Sequence, residues 1–219
     1  MTDYFKFIGL PLVVQDLITE EIVHNSIPED RIELALTSKY CNELVQRARP
    51  KKVIDKFTVA IIPRFTFISN STEYRKTKEQ LLEIVPNCQI KQLKLYDHLG
   101  RSAEYSEILD MLSEPAKFAT KLDIGDIRNP SFNVVEFYVK LKHLKSVTIR
   151  NPGLILPYYP SKVKLNFNYN APSENILEDL AKKSQNSPLS FFELNRDVSL
   201  EKCQQFLQVN KVVGFFDFD

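Results

Sequence analysis

Tryptophan is absent from this 219-residue chain, and glycine occurs only five times. The shortage of glycine argues against dinucleotide and phosphate-loop folds, which need it for tight turns beside the phosphates. Cysteine is rarer still. Cys41, Cys88 and Cys203 lie far apart, and no CxxC pair suggests a zinc ribbon or a thioredoxin-type site. Three isolated thiols point to a reducing compartment. Neither sign of charge dominates: 29 Lys and Arg face 28 Asp and Glu, a formal net charge of +1. The chain as a whole therefore has no nucleic-acid bias. No apolar run approaches the ~18–20 residues of a membrane span. The N-terminus also lacks the basic, apolar, small-residue layout of a secretory signal. We therefore expect a protein of the cytoplasm, the nucleus or both, with neither membrane nor nucleic acid as a partner.

What is present fits a folded α/β protein. Hydrophobic residues make up 43% and charged residues 26% of the chain, an ordinary globular balance. Fifteen Phe and nine Tyr can furnish a sizeable core. The organising stretch is residues 10–48, which read as three short helices. The first follows Leu10-Pro11 and repeats Val13 and Val14, Leu17 and Ile18, then Ile22 at helical spacing. Pro11 suits a first helical turn, where its missing N–H costs nothing. The second opens at Pro28-Glu29-Asp30, with acids at the positive pole of the helix, and carries Ile32, Ala35 and Leu36. The third starts near Thr37-Ser38, where a hydroxyl can cap free N–H groups. It carries Cys41, Leu44, Val45 and Ala48. A unit of this size lies below the ~40–60 residues at which a lone core becomes self-sufficient. Its apolar side chains must lean on the rest of the chain, on a partner, or on both. Ahead of it, Tyr4, Phe5, Phe7 and Ile8 are expected to pack beside the first helix.

These residues resemble an F-box. Leu10-Pro11, the apolar run to Ile18, the Pro-acidic opening of the second helix and Leu36-Thr37-Ser38-Lys39 carry the likeness. They are similar to the expanded F-box families of nematodes, whose boxes often begin with an LPLVV-like run. Tyr40 is the aromatic nearest the place of the family's third-helix tryptophan. The resemblance implies an F-box module over residues 1–50 that docks on a Skp-family adaptor, and through it on a cullin. It implies that Leu10, Pro11, Val14, Leu17, Ile18, Ile32 and Leu36 bury against that adaptor or brace the box. The chain would then be the substrate-recognition subunit of a ubiquitin ligase, recruiting a protein target through residues 51–219.

Residues 47–56, RARPKKVIDK, read as a solvated, basic helix end, with a nuclear-import patch as the second reading. Residues 57–69, FTVAIIPRFTFIS, read as one bent strand or two short ones, with Pro63 at an edge or bulge. A helix follows from Thr77, which has capping-box spacing to Gln80, and ends at Pro86. From there strands alternate with helices. Strands are expected over 91–96, 121–124, 146–149, 163–167, 190–194 and 213–216. Helices are expected over 102–111, 134–144, 173–183 and 199–209, with Ser102, Ser173 and Ser199 as N-caps. The proline-rich stretch 151–160 reads as a loop in place of a helix. Most strand-to-strand intervals fall within the ~20–29 residues of a leucine-rich repeat. An x-L-x-L core recurs at Leu93/Leu95, Leu122/Ile124, Val147/Ile149 and Val163/Leu165. The region resembles a degenerate leucine-rich-repeat array with a mostly parallel sheet. An ordinary α/β sheet with right-handed crossovers gives the same alternation, and both readings stand.

No constellation carries chemistry. His24, His98 and His143 are widely separated, Asp97-His98 reads as a turn, and Asp123 and Asp126 read as solvated strand ends. No catalytic residue, metal-ligand set or cofactor is expected. The open face of the strands is the better place for function. If Leu93 and Leu95 point inward, Lys94 and Tyr96 point out. The same alternation offers Lys121, Asp123, Thr148, Arg150, Lys164 and Asn166 as target-binding candidates, with Tyr and Arg as common interface anchors. In a second reading, the chain is a non-enzymatic repeat scaffold for protein–protein interaction whose N-terminal helices only cap the stack.

Overall fold

The structure, a computed structural model, describes residues 6–49, 51–61, 64–69, 71–96, 102–125, 132–151, 153–167, 174–185, 187–195, 204, 206, 216 and 217. A 3-10 turn, Phe7–Gly9, leads into three helices: α1 Leu12–Asn25, α2 Pro28–Thr37 and α3 Lys39–Arg47. Pro11 stands one place earlier than its expected position, as the N-cap of α1. Pro28 is the first residue of α2, with Glu29 and Asp30 in the opening turn, where their charge complements the helix dipole. The Ser38 hydroxyl accepts the Cys41 N–H at 3.0 Å and caps α3. Val23, Cys41, Leu44 and Val45 are the buried apolar residues of this trio.

The chain then enters β1, Lys52–Ile54, which pairs in parallel with β5, Cys88–Ile90. The basic stretch 47–56 is therefore not merely a solvated helix end. Lys52 faces solvent while Ile54 is fully buried, so alternation made a strand of what composition alone presented as a charged tail. β2 (Lys56–Ile61), β3 (Arg64–Ser69) and β4 (Thr72–Lys76) follow as an antiparallel meander. Residues 57–69 thus form two strands, with the register shifting between Val59 and Ile61. Pro63 lies outside the described residues. Sequence pattern missed β4 because TEYRK shows no apolar alternation, and the strand is exposed for almost its full length. Thr77 and Gln80 form the expected capping box of α4, Lys78–Ile84, and a 3-10 turn at Val85–Asn87 closes that segment.

The main sheet is completed by β6 (Gln92–Leu95), β7 (Lys121–Ile124), β8 (Ser146–Ile149), β9 (Lys162–Asn166), β10 (Phe191–Asn195) and β11 (Phe216–Asp217). Among the described residues it has nine strands in the order β11-β10-β9-β8-β7-β6-β2-β3-β4. All pairings across the sheet from β2 to β11 are parallel, and only β2-β3-β4 are antiparallel. The protein is α/β with a mostly parallel, mixed sheet. The remaining helices are α5 (Ser102–Ser113), α6 (Phe132–Lys140) and α7 (Glu174–Ser184). Ser102 is the first residue of α5 rather than its cap. α6 stops short of residue 144, where the Leu141 N–H reaches back only three residues, to the Tyr138 carbonyl, and tightens the chain into a turn. No helix forms in the described part of 151–160, as the prolines predict. Tyr4, Phe5, Ser173, 213–215 and all of 199–209 except Gln204 and Phe206 lie outside the described residues.

The parallel strands sit in strict register. Leu93, Leu122, Val147, Val163 and Phe192 form one row, and Leu95, Ile124, Ile149, Leu165 and Leu194 the next. All ten are buried and join one continuous core with Tyr105, Ile108, Leu112, Phe137, Tyr138 and Leu180 from the helices. None of the buried apolar residues of the helical trio belongs to that core. Among the described residues, polar contacts join the two parts. Buried Arg31 donates to the Lys51 carbonyl, and the Lys91 ammonium lies 3.7 Å from both Glu29 and Asp55. Among the described residues no helix is long and apolar enough to cross a membrane.

Candidate functional site

The first candidate surface belongs to the helical trio, and it begins with an inversion in α1. The residues that α1 buries are Gln15, Thr19 and Val23, one helical stripe of which two members are polar. Gln15 is 5% exposed and Thr19 1%. Burial of these groups is tolerable because they are bonded. The Gln15 amide donates to the carbonyls of Leu10, at 2.7 Å, and Ile8, at 3.3 Å. Its Oε1 accepts from the Tyr40 hydroxyl at 2.7 Å, and the Thr19 hydroxyl donates to the Gln15 carbonyl. One glutamine thus ties the lead-in to α1 and α3. Ile8, expected to pack beside α1, is instead 70% exposed. Its segment is held through main-chain carbonyls, so its side chain is left free to point out.

With the polar stripe inside, the large aliphatic residues face outward. Val13 is 69% exposed, Leu17 60% and Leu36 80%, with Leu12, Val14 and Ile32 also exposed. Of the seven candidates for the adaptor surface, Pro11, Val14, Leu17, Ile32 and Leu36 are exposed, while Leu10 and Ile18 are half-buried. Leu12, Val13 and Tyr40 belong to the same exposed set and escaped that selection. A shallow groove of about 610 Å³ runs beside them, lined by Leu12, Tyr40, Asn42, Glu43, Gln46 and Arg47. Arg47 is held across α1 by Asp16 at 3.1 Å. The missed signal was the 15-19-23 stripe, since following its i, i+4 spacing locates the inner face and leaves 12, 13 and 17 outside.

The second candidate surface is the open face of the parallel strands. Asp123 is its hub, 13% exposed at the side chain. It accepts from Arg150 Nε at 3.1 Å and Nη2 at 3.3 Å, from the Tyr96 hydroxyl at 3.4 Å, and pairs with the Lys94 ammonium at 3.2 Å. Asp123 is therefore not a solvated strand end. In-register pairing sets it beside Lys94 on β6, and Arg150 directly follows β8. Asp123 holds the Arg150 guanidinium above its ordinary pKa, outweighing burial. Burial acts against the Lys94 ammonium, but its hydrogen bond and charge pairing with Asp123 leave its pKa raised. Burial, followed by the nearby charge of Lys94, lowers that of Lys56. Gly125 makes room for this cluster, because a Cβ there would lie 1.9 Å from the Tyr96 ring.

Lys94, Tyr96, Asp123 and Arg150 thus form one network. Lys164 and Asn166 lie further along the sheet in separate couples, Lys164 with Glu193 at 2.5 Å and Asn166 with Asn195 at 3.2 Å. A depression of about 440 Å³ spans the middle of the face, lined by Lys121 and Thr148 together with Gln92, Ser146, Lys162 and Phe191. Those last four were absent from the predicted set, although each extends the same two-residue alternation by one step.

Elsewhere, among the described residues, the histidines have partners and the cysteines are buried. His24 Nε2 donates to the Ala48 carbonyl at 2.8 Å, and His143 packs against the Phe118 ring. Cys41 and Cys88 are buried, and burial pushes the Cys88 thiol up. His98, Asp126 and Cys203 lie outside the described residues. Among the described residues no three His, Cys, Asp or Glu side chains gather as a metal ion would need. What the two surfaces offer is binding, one through apolar area and the other through charge. No family model matches this chain, and no curated protein matches it.

Proposed function

We propose that this chain is an F-box protein, the substrate-recognition subunit of a Skp–cullin-type ubiquitin ligase. The helical trio docks on a Skp-family adaptor, and the sheet domain, read as degenerate leucine-rich repeats, holds a protein target. One observation carries the reading: Leu12, Val13, Leu17 and Leu36 stand in solvent on a module whose own small centre is already closed. Full burial of a Leu or Val is worth about 1.5–3 kcal/mol, so covering several of them can hold a stable complex. The repeat reading draws on the x-L-x-L pairs in register, each strand lying beside its successor in the chain. The mechanism is proximity: two joined binding surfaces raise the local concentration of a target near a ubiquitin-conjugating enzyme.

The test is co-expression with a Skp-family adaptor followed by size exclusion. Co-elution is expected, and Leu17→Asp should abolish it while the variant keeps its far-UV circular dichroism. A stable monomer indifferent to the adaptor would instead favour a scaffold whose helices only cap the sheet.

A further inference from the structure

The chain is nearly neutral, with a formal net charge of +1, yet its open sheet face is not. The outward positions of β6 to β9, with Arg150 after β8, hold Lys94, Lys121, Lys162, Lys164 and Arg150, and Asp123 is the acid among them. Glu193 on β10 adds a second acid, already paired with Lys164. Lys94 and Arg150 are likewise engaged by Asp123. Lys121 and Lys162 differ from them: both are exposed, and among the described residues neither pairs with an acid. They share one row across the sheet, Gln92-Lys121-Ser146-Lys162-Phe191, with a single strand between them.

We propose that this face takes an extended, acidic segment of the recruited protein, laid across the strands with carboxylates on Lys121 and Lys162. Spacing favours carboxylates over one phosphate. Residues two strands apart are separated by about 9–10 Å, and alternate side chains of an extended peptide by about 6.5–7 Å, a gap that flexible lysine stems close. A phosphate calls for convergent donors or a free guanidinium fork, and Arg150 already grips Asp123 in that way. Phe191 ends the row beyond Lys162, under the Lys164 ammonium at 5.2 Å, and offers an apolar contact to a part of the segment that runs past the acids. The occupant's identity as a ligase target rests on the recruitment reading, whereas its acidic character rests on this face alone.

The experiment uses the purified full chain and fluorescence anisotropy with three labelled peptides of equal length. One alternates Glu and Val, one alternates Lys and Val, and one carries a single phosphoserine and no other acid. The Glu peptide should bind, weaken with added salt, and lose about tenfold or more in affinity in the Lys121→Glu/Lys162→Glu variant. Lys121→Gln/Lys162→Gln should lose less while keeping the same thermal midpoint. Equal binding of the Glu and Lys peptides, or an unchanged affinity in the charge-reversed variant, overturns the proposal. Binding of the phosphoserine peptide alone overturns it in favour of a phosphate site. Adaptor co-elution of the same variants separates the two readings. Intact co-elution with lost peptide binding supports this site within a ligase subunit. Peptide binding without any co-elution sustains the acidic site and removes the ligase.

Discussion

The helical trio and the sheet domain treat their apolar residues in opposite ways. In the sheet, Leu93, Leu122, Val147 and Val163 turn inward, none more than 2% exposed, and lysines face solvent. In α1, Gln15 and Thr19 turn inward, while Leu12, Val13 and Leu17 face solvent. The sheet is packed on one continuous core whose residues run from Ile54 to Phe206. The trio is held by capping, by one glutamine and by the buried Val23, Cys41, Leu44 and Val45. Apolar burial is therefore concentrated in the sheet, and exposed aliphatic area on the helical trio. Substitutions in the sheet core should register as unfolding, and those on the outer surface of the trio as lost association.

The heaviest loss is expected from Leu122→Ala. Leu122 lies in the middle strand row, paired with Leu93 on one side and Val147 on the other. Removing it should lower unfolding free energy by about 2–5 kcal/mol, read from the urea midpoint. A loss below about 1 kcal/mol would mean that the stacked strands do not share one core, and the contrast with the trio would fail. Next comes Gly125→Ala. The new methyl would collide with the Tyr96 ring, and displacing a packed ring costs about 1–3 kcal/mol. Tyr96→Ala in the same chain should recover most of that loss, since the collision needs both partners.

Much of this architecture is legible in the sequence. The x-L-x-L pairs place β6 to β9 almost to the residue because alternation and burial act on the same side chains there. Thr77 with Gln80 and Ser38 with Cys41 give helix starts, because caps are local chemistry. β4 and β1 are not legible: a five-residue edge strand needs only main-chain partners, and a three-residue strand has too few side chains to show a period. The Asp123 network is not legible either. Arg150 and Lys94 are both more than two dozen residues from Asp123 in the chain, and only in-register stacking makes them neighbours. The apolar count of α1 pointed to a surplus, but not to which residues form it. The apolar repeat alone does not locate the inner face, because Gln15 is buried through bonds to main-chain carbonyls that a count of apolar residues does not register.

Gln15→Leu tests that inversion directly. In the sheet, an apolar residue at a buried position is the stabilising choice. Here it would leave the Tyr40 hydroxyl and the Leu10 carbonyl without the Gln15 amide they now bond. Unsatisfied partners of this kind cost about 1–3 kcal/mol. The loss should appear as faster amide exchange in α1 and α3, with the sheet amides unchanged, since the two cores are separate.

The slightest change in stability is expected where the functional effect is greatest. Leu17→Asp and Leu36→Asp each replace a largely exposed side chain, with Leu17 60% and Leu36 80% in solvent. Surface substitutions of this sort usually change stability by no more than about 0.5 kcal/mol. Both residues are long aliphatics standing in water, so a charge there removes little contact within the chain. In Leu36→Asp the new carboxylate would lie near the C-terminal end of α2, where the helix dipole disfavours it slightly. That variant should therefore be the costlier of the two. A urea midpoint unchanged in both, alongside lost adaptor co-elution, would separate stability from association on this module. A drop of about 2 kcal/mol in either would match the cost of losing a buried leucine, and so mean that the side chain is buried in the free protein. The inversion of α1 would then no longer distinguish the trio from the sheet.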